Sequence, residues 1–442
     1  MATIEEMKAR VCEIIDQRAG EIIGISQHIL QNPEPGFREQ KTARFVQEQF
    51  DKLELPHKDN LAITGVKSWV DAGSPGPTVA VVGELDSLRV LEHPHADPDT
   101  GAAHACGHHA QIGMMLGAAM GLRLSGVLSD LAGRIVFFAV PAEEIIEVEY
   151  RNSLRSDGKI EFIGGKPELI RLGEFDDVDL AMMTHTTSNP EDKKLALSST
   201  NNGLVVKNIQ YIGRGAHAGG SPHLGINALN AAMLGIQSIH ALRETFRDDD
   251  TVRVHPIITR GGDAVSAVPS DVRMETFVRA STIDAVREWD PRVDRALRAG
   301  AMAIGATVRI TTIPGYLPLN NNQDIASLYR DNAGQIVGSE NVTTAGHRTG
   351  STDMGDISQI IPTIHPYAGG ASGIGHGADY VVDDYNEAVI NPAKVMAMTV
   401  VDLLANNAAR AREITDSAKL PLSKNAYLKL LRGFARDEQF EE

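Results

Sequence analysis

Two cysteines in 442 residues, Cys12 and Cys106, exclude a disulfide framework. Basic side chains are also scarce: 42 Lys and Arg stand against 58 Asp and Glu, a formal net charge of -16. Such a surface repels phosphate backbones, and no basic stripe interleaved with aromatics relieves it, so nucleic acid is not an expected partner. The apolar runs fall short of the roughly 20 residues that cross a bilayer, so no membrane partner is expected either. The opening stretch MATIEEMKARVCEIIDQRAGE is charged and amphipathic and lacks a signal-peptide core with a cleavage site; the expected location is cytoplasmic. Internal repeats and low-complexity segments are absent too. What is there is a chain 42% hydrophobic, long enough for two or three domains and a large core. A small-molecule substrate is the partner to expect.

The first part reads as α/β. Helical periodicity over residues 4 to about 31 is broken by NPEPGFRE before a second helix in EQKTARFVQEQFDKL. Three apolar runs follow, at 77–85, 133–141 and 178–185, and strands of this kind between helices predict a mainly parallel sheet buried on both faces. The runs lead into Asp86, into Glu143 and Glu144, and into His185. Ligands of open α/β sheets bind beyond the carboxyl ends of the strands, so these side chains are predicted to gather along one edge. From residue 199 the order becomes strand, helix, strand, strand, helix, strand, a ferredoxin-like α+β arrangement. The predicted domains are a catalytic part over 1–198, an inserted lid over 199–314 and a second catalytic part over 315–442. The final GFARDEQFEE reads as a solvated tail, and Cys12, on an apolar helical face, as inert core.

The densest chemistry lies in AAHACGHHAQIGMMLGAAMGL, residues 102–122. Cys106 and His108 are two apart, a spacing that puts both on one side of an extended segment. The following helix offers its positive end to a thiolate. Alone, a C-x-H pair is a weak metal signal, because a buried cysteine beside unrelated histidines gives the same pattern. Glu143 and Glu144, adjacent at a strand end, should point in opposite directions, one toward a metal and the other toward a bound water.

The ordered set GELDSL, HACGH, PAEE, THT, GRGAHAGGSPHLGINAL and GSTDMGD followed by IHPY resembles the aminoacylase and carboxypeptidase family of dinuclear metallohydrolases. It is most similar to the branch holding p-aminobenzoyl-glutamate hydrolase subunits and Xaa-Arg dipeptidases, from about residue 20 to 405. The resemblance implies a catalytic α/β domain interrupted by a lid that makes a homodimer, with one or two divalent ions per subunit. Cys106 would bridge two metals, one completed by Glu144 and His376, the other by His108 and His185. Zinc is the first expectation, with manganese and cobalt open. Glu143 would be the general base, Asp86 the carboxylate orienting a ligand histidine, and His217 the lid histidine that polarises the scissile carbonyl across the dimer. Arg279, Ser266 and His223 complete the implied substrate-binding set.

Three features depart from the pattern. His109 stands where Asp or Asn is usual, Ser266 where the branch often has Asn, and IIEVEYRNSLRSDGK with Tyr150 replaces a short glycine-rich segment, suggesting a rebuilt pocket wall. The expected activity is metal-dependent hydrolysis of the amide bond of an N-acyl or N-aroyl amino acid or dipeptide. A hydrolytic deaminase of an aromatic amine and a non-catalytic metal-holding binding protein are the alternatives.

Overall fold

The run TVAVVG can bury both faces only inside a sheet, and the computed structural model, which describes residues 2–441, places it there. Ser74–Glu84 pairs in parallel with Ala132–Val140 on one side and Leu180–Met182 on the other. Thr363–Ile364 adds a parallel strand beyond Leu180–Met182, while Gly65–Asp71 and His57–Leu61 extend the opposite edge antiparallel. The sheet is mainly parallel, with its antiparallel part confined to one edge.

The helix His108–Leu124 is buried from His108 to Leu122, and its small residues say why. A Cβ at Gly113 would lie 1.9 Å from Ser26 Oγ, and one at Gly121 would lie 2.8 Å from Ile15 Cδ1. The glycines let this helix press against Ile4–Gln17 and Ala19–Leu30, which the sequence read as one helix and which break at Arg18. The stretch Asn386–Ser417 is apolar and long enough to cross a membrane, yet 83% of its most apolar window is buried in the protein. It belongs to the main core.

In the inserted segment, Gly203–Ile212 lies between Asp271–Ala280 and Thr307–Pro314 in an antiparallel sheet. The strand expected at 251–260 splits into Arg253–Val254 and Ile257–Arg260, both paired with Asp271–Ala280. Pro256, which has no N–H to give a ladder, falls in the gap. Ala228–Leu242 and Ile283–Ile304 cover one face of this sheet, burying alternate residues of Asp271–Ala280. The other face sets Leu204, Val206, Phe277 and Ile313 against Ile145, Val148, Ile163 and Tyr316 of the catalytic part.

The expected solvated tail does not form. Arg436–Phe440 pairs antiparallel with Thr307–Pro314, so the end of the 315–442 stretch completes the lid sheet. Arg436 reaches Asp290 at 2.6 Å and Asp294 at 3.1 Å, which also hold the fully buried Lys207. An edge strand needs only one covered face, so RDEQF carries almost no apolar signal.

Candidate active site

Glu84 ends one strand and Asp86 follows it, Glu143 and Glu144 lie beyond Ala132–Val140, and His185 lies beyond Leu180–Met182. Cys106 joins them through a turn rather than the extended segment expected. Gly107 has φ 92°, and a Cβ there would fall 2.0 Å from Thr186 Oγ1, so glycine is required between the cysteine and His108. His108 then opens the buried helix.

The ligand atoms of Cys106, His108 and His185 all lie within 4.8 Å of one another, as do those of Cys106, Glu144 and His376. The two groups share the thiol. Cys106 Sγ is 3.3 Å from His185 Nε2, and His185 Nδ1 donates to the Thr186 carbonyl at 2.7 Å, which leaves Nε2 free to face the sulfur. His108 is oriented the same way, its Nδ1 donating to the Asp86 carbonyl at 2.9 Å. Asp86 Oδ2 also accepts the Glu144 N–H at 2.8 Å, so one buried carboxylate residue orients a member of each group. His108 Nε2 and Glu144 Oε1 are buried without a well-formed hydrogen bond, His108 Nε2 facing the Glu84 carboxylate at 3.0 Å. Buried unsatisfied atoms converging in this way fit a cation between them. His376 adopts φ 66° with its N–H bonded to the Ala105 carbonyl at 2.9 Å, and its half-exposed ring opens one side of the site to solvent.

The loop carrying the two glutamates is clamped from below. Ala142 takes φ 56°, Glu39 accepts its N–H at 2.8 Å, and the buried Arg151 donates to the carbonyls of Ala142, Ile163 and Glu144. Tyr316 donates its hydroxyl to the Glu143 carbonyl. The expected pocket wall IIEVEYRNSLRSDGK is thus corrected in part: Val148–Ser156 is a helix that reaches under the loop, and Tyr150 sits beneath the Arg38 guanidinium at 3.9 Å. Burial, then the charges of Glu84, Glu144 and Asp353, push the Glu143 carboxyl well above the usual carboxylate range. Burial and Glu144 likewise push the Cys106 thiol up. Burial alone would lower His108, but Glu84, Cys106 and Asp86 outweigh it and hold it well above the usual histidine range.

Glu84 is one of the residues sequence reasoning missed. Its Oε2 lies 3.0 Å from His108 Nε2 and accepts from Gln111 Nε2 at 2.9 Å, while Oε1 pairs with the fully buried Lys166, which also holds Asp353. Lys166 neutralises two carboxylates that have no access to water. Lys166→Met should therefore destabilise the fold by about 3–5 kcal/mol, the scale for stripping one partner from a buried ion pair. Chemical denaturation measures it, and a loss below about 1 kcal/mol would mean that the carboxylates are neutralised otherwise.

Arg279 lines a cleft of about 620 Å³ between Ile145, Ile146 and Glu147 of the catalytic part and Arg253, His255, Ile257 and Phe277 of the lid. Ser266 and His223 do not line this cleft; both are exposed on lid loops, Ser266 through its carbonyl accepting the Ala218 N–H at 2.9 Å. His217 is exposed beside them, and among the described residues no hydrogen bond or ion pair joins it to the two ligand groups. Its Nδ1 accepts the N–H groups of Gly219 at 3.1 Å and Gly220 at 2.8 Å, which places the ring proton on Nε2. His109 lies buried near His104 and Tyr385, its pKa pushed down to about 3 by burial and then by the charge of His108.

Comparison with known proteins matches residues 80–401 to peptidase family M20/M25/M40. The Xaa-Arg dipeptidase of Mus musculus is 28% identical over 425 residues, 91% of this chain and 90% of that protein. The N-acyl-L-amino acid amidohydrolase of Geobacillus stearothermophilus is 26% identical over 327 residues, covering 71% of this chain and 81% of its own. A dinuclear metal binding peptidase of the M20 family from Bacillus subtilis shares the fold, with a TM-score of 0.62 at 19% identity over 87% of this chain and 98% of that one. With the family match spanning most of the sequence, the chain belongs to peptidase family M20/M25/M40 and is a hydrolase acting on C–N bonds.

Proposed function

We propose that this chain hydrolyses the amide bond of an N-acyl or N-aroyl amino acid or a dipeptide-like substrate, with divalent cations held by Cys106, His108 and His185 and by Cys106, Glu144 and His376. The observation that carries this reading is one thiol common to two ligand groups, with Glu143 next to a member of one of them. Thiolate, imidazole and carboxylate together suit zinc, and manganese or cobalt also accept such donors. When bound, the cations lower the pKa of a water and polarise the scissile carbonyl. Glu143 takes the proton of the attacking water and passes it to the leaving nitrogen, the part of a positioned carboxylate that acts first as general base and then as general acid. Asp86 holds His108 and the Glu144 backbone in place, and Arg279 binds a substrate carboxylate from the lid side. A screen of N-acyl amino acids and dipeptides, with and without chelator and with products identified by mass spectrometry, tests the reading. Ammonia release without a second organic product, or turnover indifferent to chelation, would overturn it.

His217 supplies the remaining donor, its Nε2–H meeting the developing oxyanion from a partner subunit. This assignment is supported by the tautomer its Nδ1 contacts impose and by its exposure. The exposed Met233, Leu234 and Ile258 of the lid support a homodimer through that domain. His217→Ala is expected to lower kcat by roughly 10²- to 10³-fold, the scale for one lost oxyanion donor, without changing metal content. Mixed with Glu143→Gln subunits, it should recover part of the activity, because a mixed dimer keeps one intact site. Mixed dimers that form without recovery would exclude donation in trans.

A further inference from the structure

The loop Ala142–Glu144 is gripped on two sides by different parts of the molecule. Two of its N–H groups go to the catalytic part, Ala142 to Glu39 at 2.8 Å and Glu144 to Asp86 at 2.8 Å. Its carbonyls go to Arg151, which serves Ala142 and Glu144, and to Tyr316, which serves Glu143. Both of these donors lead to the lid. Tyr316 follows the last lid strand, Thr307–Pro314, by two residues, and its own carbonyl accepts the Leu204 N–H of the first lid strand at 2.7 Å. Arg151 lies on the helix Val148–Ser156, and Val148 belongs to the apolar cluster that Leu204, Val206, Ile313 and Phe277 of the lid complete. Arg273 of the lid also reaches Glu149 at 3.2 Å. The helix has no cap of its own. Glu147 precedes it with φ 52° and makes no capping bond, and Glu275 of the lid sets its carboxylate against the backbone amides of Glu149 and Val148 instead. Free N–H groups and the positive end of a helix favour a carboxylate there, so the lid supplies what the helix lacks. Ala142 has φ 56°, a conformation that a residue with a Cβ keeps only where its surroundings over-determine it. Half of that constraint, the carbonyl half, runs back to the lid.

We propose that Arg151 and Tyr316 are positioning residues through which the docked lid holds Glu143 and Glu144 in their working geometry, with Glu275 the lid-side anchor of the helix that carries Arg151. When the lid undocks, the loop carbonyls lose their donors, because a fully buried guanidinium cannot hold its place once the helix beneath it shifts. General base and ligand carboxylate are therefore set only while the lid is docked. This rests on the roles given to Glu143 and Glu144 above and adds what controls their placement. The link passes through IIEVEYRNSLRSDGK, the segment that replaces a short glycine-rich run, so it belongs to this chain rather than to the shared metal chemistry.

The test compares Glu275→Gln, Tyr316→Phe and Arg151→Lys in the full-length, metal-loaded protein, with thermal melts establishing that each folds. Hydrogen–deuterium exchange over residues 142–147, read by mass spectrometry, follows the loop through its Ala142 and Glu144 amides. We expect each variant to speed that exchange by about 3- to 100-fold, the span between losing a neutral hydrogen bond and losing one to a charged group. Glu275→Gln should do so although its side chain bonds to neither residue. With an amide that the wild-type enzyme cleaves, kcat should fall by up to about 100-fold while KM holds, the scale for displacing a catalytic group by about 1 Å. Combining Glu275→Gln with Arg151→Lys should lower kcat little beyond the larger single effect, because both changes break one link. Exchange that rises only at Val148 and Glu149 in Glu275→Gln, or losses in kcat that multiply in the double variant, would overturn the proposal. If Arg151→Lys does not fold, the exchange of 142–147 in Glu275→Gln decides alone. Faster loop exchange in a protein that cleaves no amide keeps the link and sinks the amidohydrolase. Unchanged exchange in all three variants of an enzyme that cleaves amides does the reverse.

Discussion

Cys106→Ala is expected to give a folded chain that no longer retains divalent cations and whose activity is lower by roughly 10⁴-fold or more, because electrophilic and water-activating chemistry are lost together. The thiol is common to both ligand groups, so removing it takes one donor from each at once, whereas replacing His185 or His376 takes a donor from one. Two donors remain in each group, His108 with His185 and Glu144 with His376, too few to close a site that needs at least three protein ligands. The fold should hardly notice. Cys106 is only partly buried, and its neighbours are fixed independently: Gly107 by its close approach to Thr186, and the His376 backbone by its bond to Ala105. Losing the sulfur should cost about 1 kcal/mol of stability, against a total of several. Metal analysis, turnover and thermal melting of the same preparation separate the outcomes. Full metal content with full activity would return Cys106 to the status of a half-buried core residue.

The strands that carry the site were legible because they are buried on both faces, and continuous apolar runs such as TVAVVG and GRIVFFAVP admit few other readings. The edge at which they end was legible for the same reason, since Asp86, Glu143 and His185 stand at or just past the end of each run. His376 was not. GIGHGADY gives only a histidine in a glycine-rich loop, and the resemblance alone singled it out. Glu84, Lys166 and Asp353 escaped because their meeting depends on separations of 82 and 187 residues, which no local pattern encodes. Arg151 escaped for another reason. In a segment of mixed charge, a buried arginine looks like a solvated one until the carbonyls it serves, those of Ala142, Ile163 and Glu144, are seen around it. The strand Arg436–Phe440 was hidden by composition, because one half-covered edge face requires little apolar surface and RDEQF provides little.

The adjacent glutamates are expected to part company under the same substitution. Glu143→Gln should keep its metal and lose about 10²- to 10⁴-fold in kcat, the range that a positioned general base contributes. An amide of the same shape still accepts contacts but cannot take a proton from water, so KM should move little while the chemical step fails. Stability should hold or rise, because the carboxylate being removed is buried among Glu84, Glu144 and Asp353, whose charges disfavour its ionised form. Glu144→Gln acts on a different link. Its Oε1 is buried without a hydrogen-bond partner 3.5 Å from His376 Nε2, where the proposed ligand group puts a ligand atom, and a neutral amide oxygen is a weaker donor to a divalent ion than a carboxylate. The expected result is a chain that loses the ion of the Cys106, Glu144 and His376 group first and regains turnover as metal is added back. The Glu144 N–H to Asp86 bond is a backbone contact and survives the change, so His108 and its group should stay in place. Metal titration of both variants alongside kcat reads the difference: activity restored by added metal in Glu144→Gln, and saturation with metal but no recovery in Glu143→Gln. If Glu143→Gln recovers with metal and Glu144→Gln does not, the two roles are exchanged; if neither responds and both hold metal, neither residue acts where it is placed here.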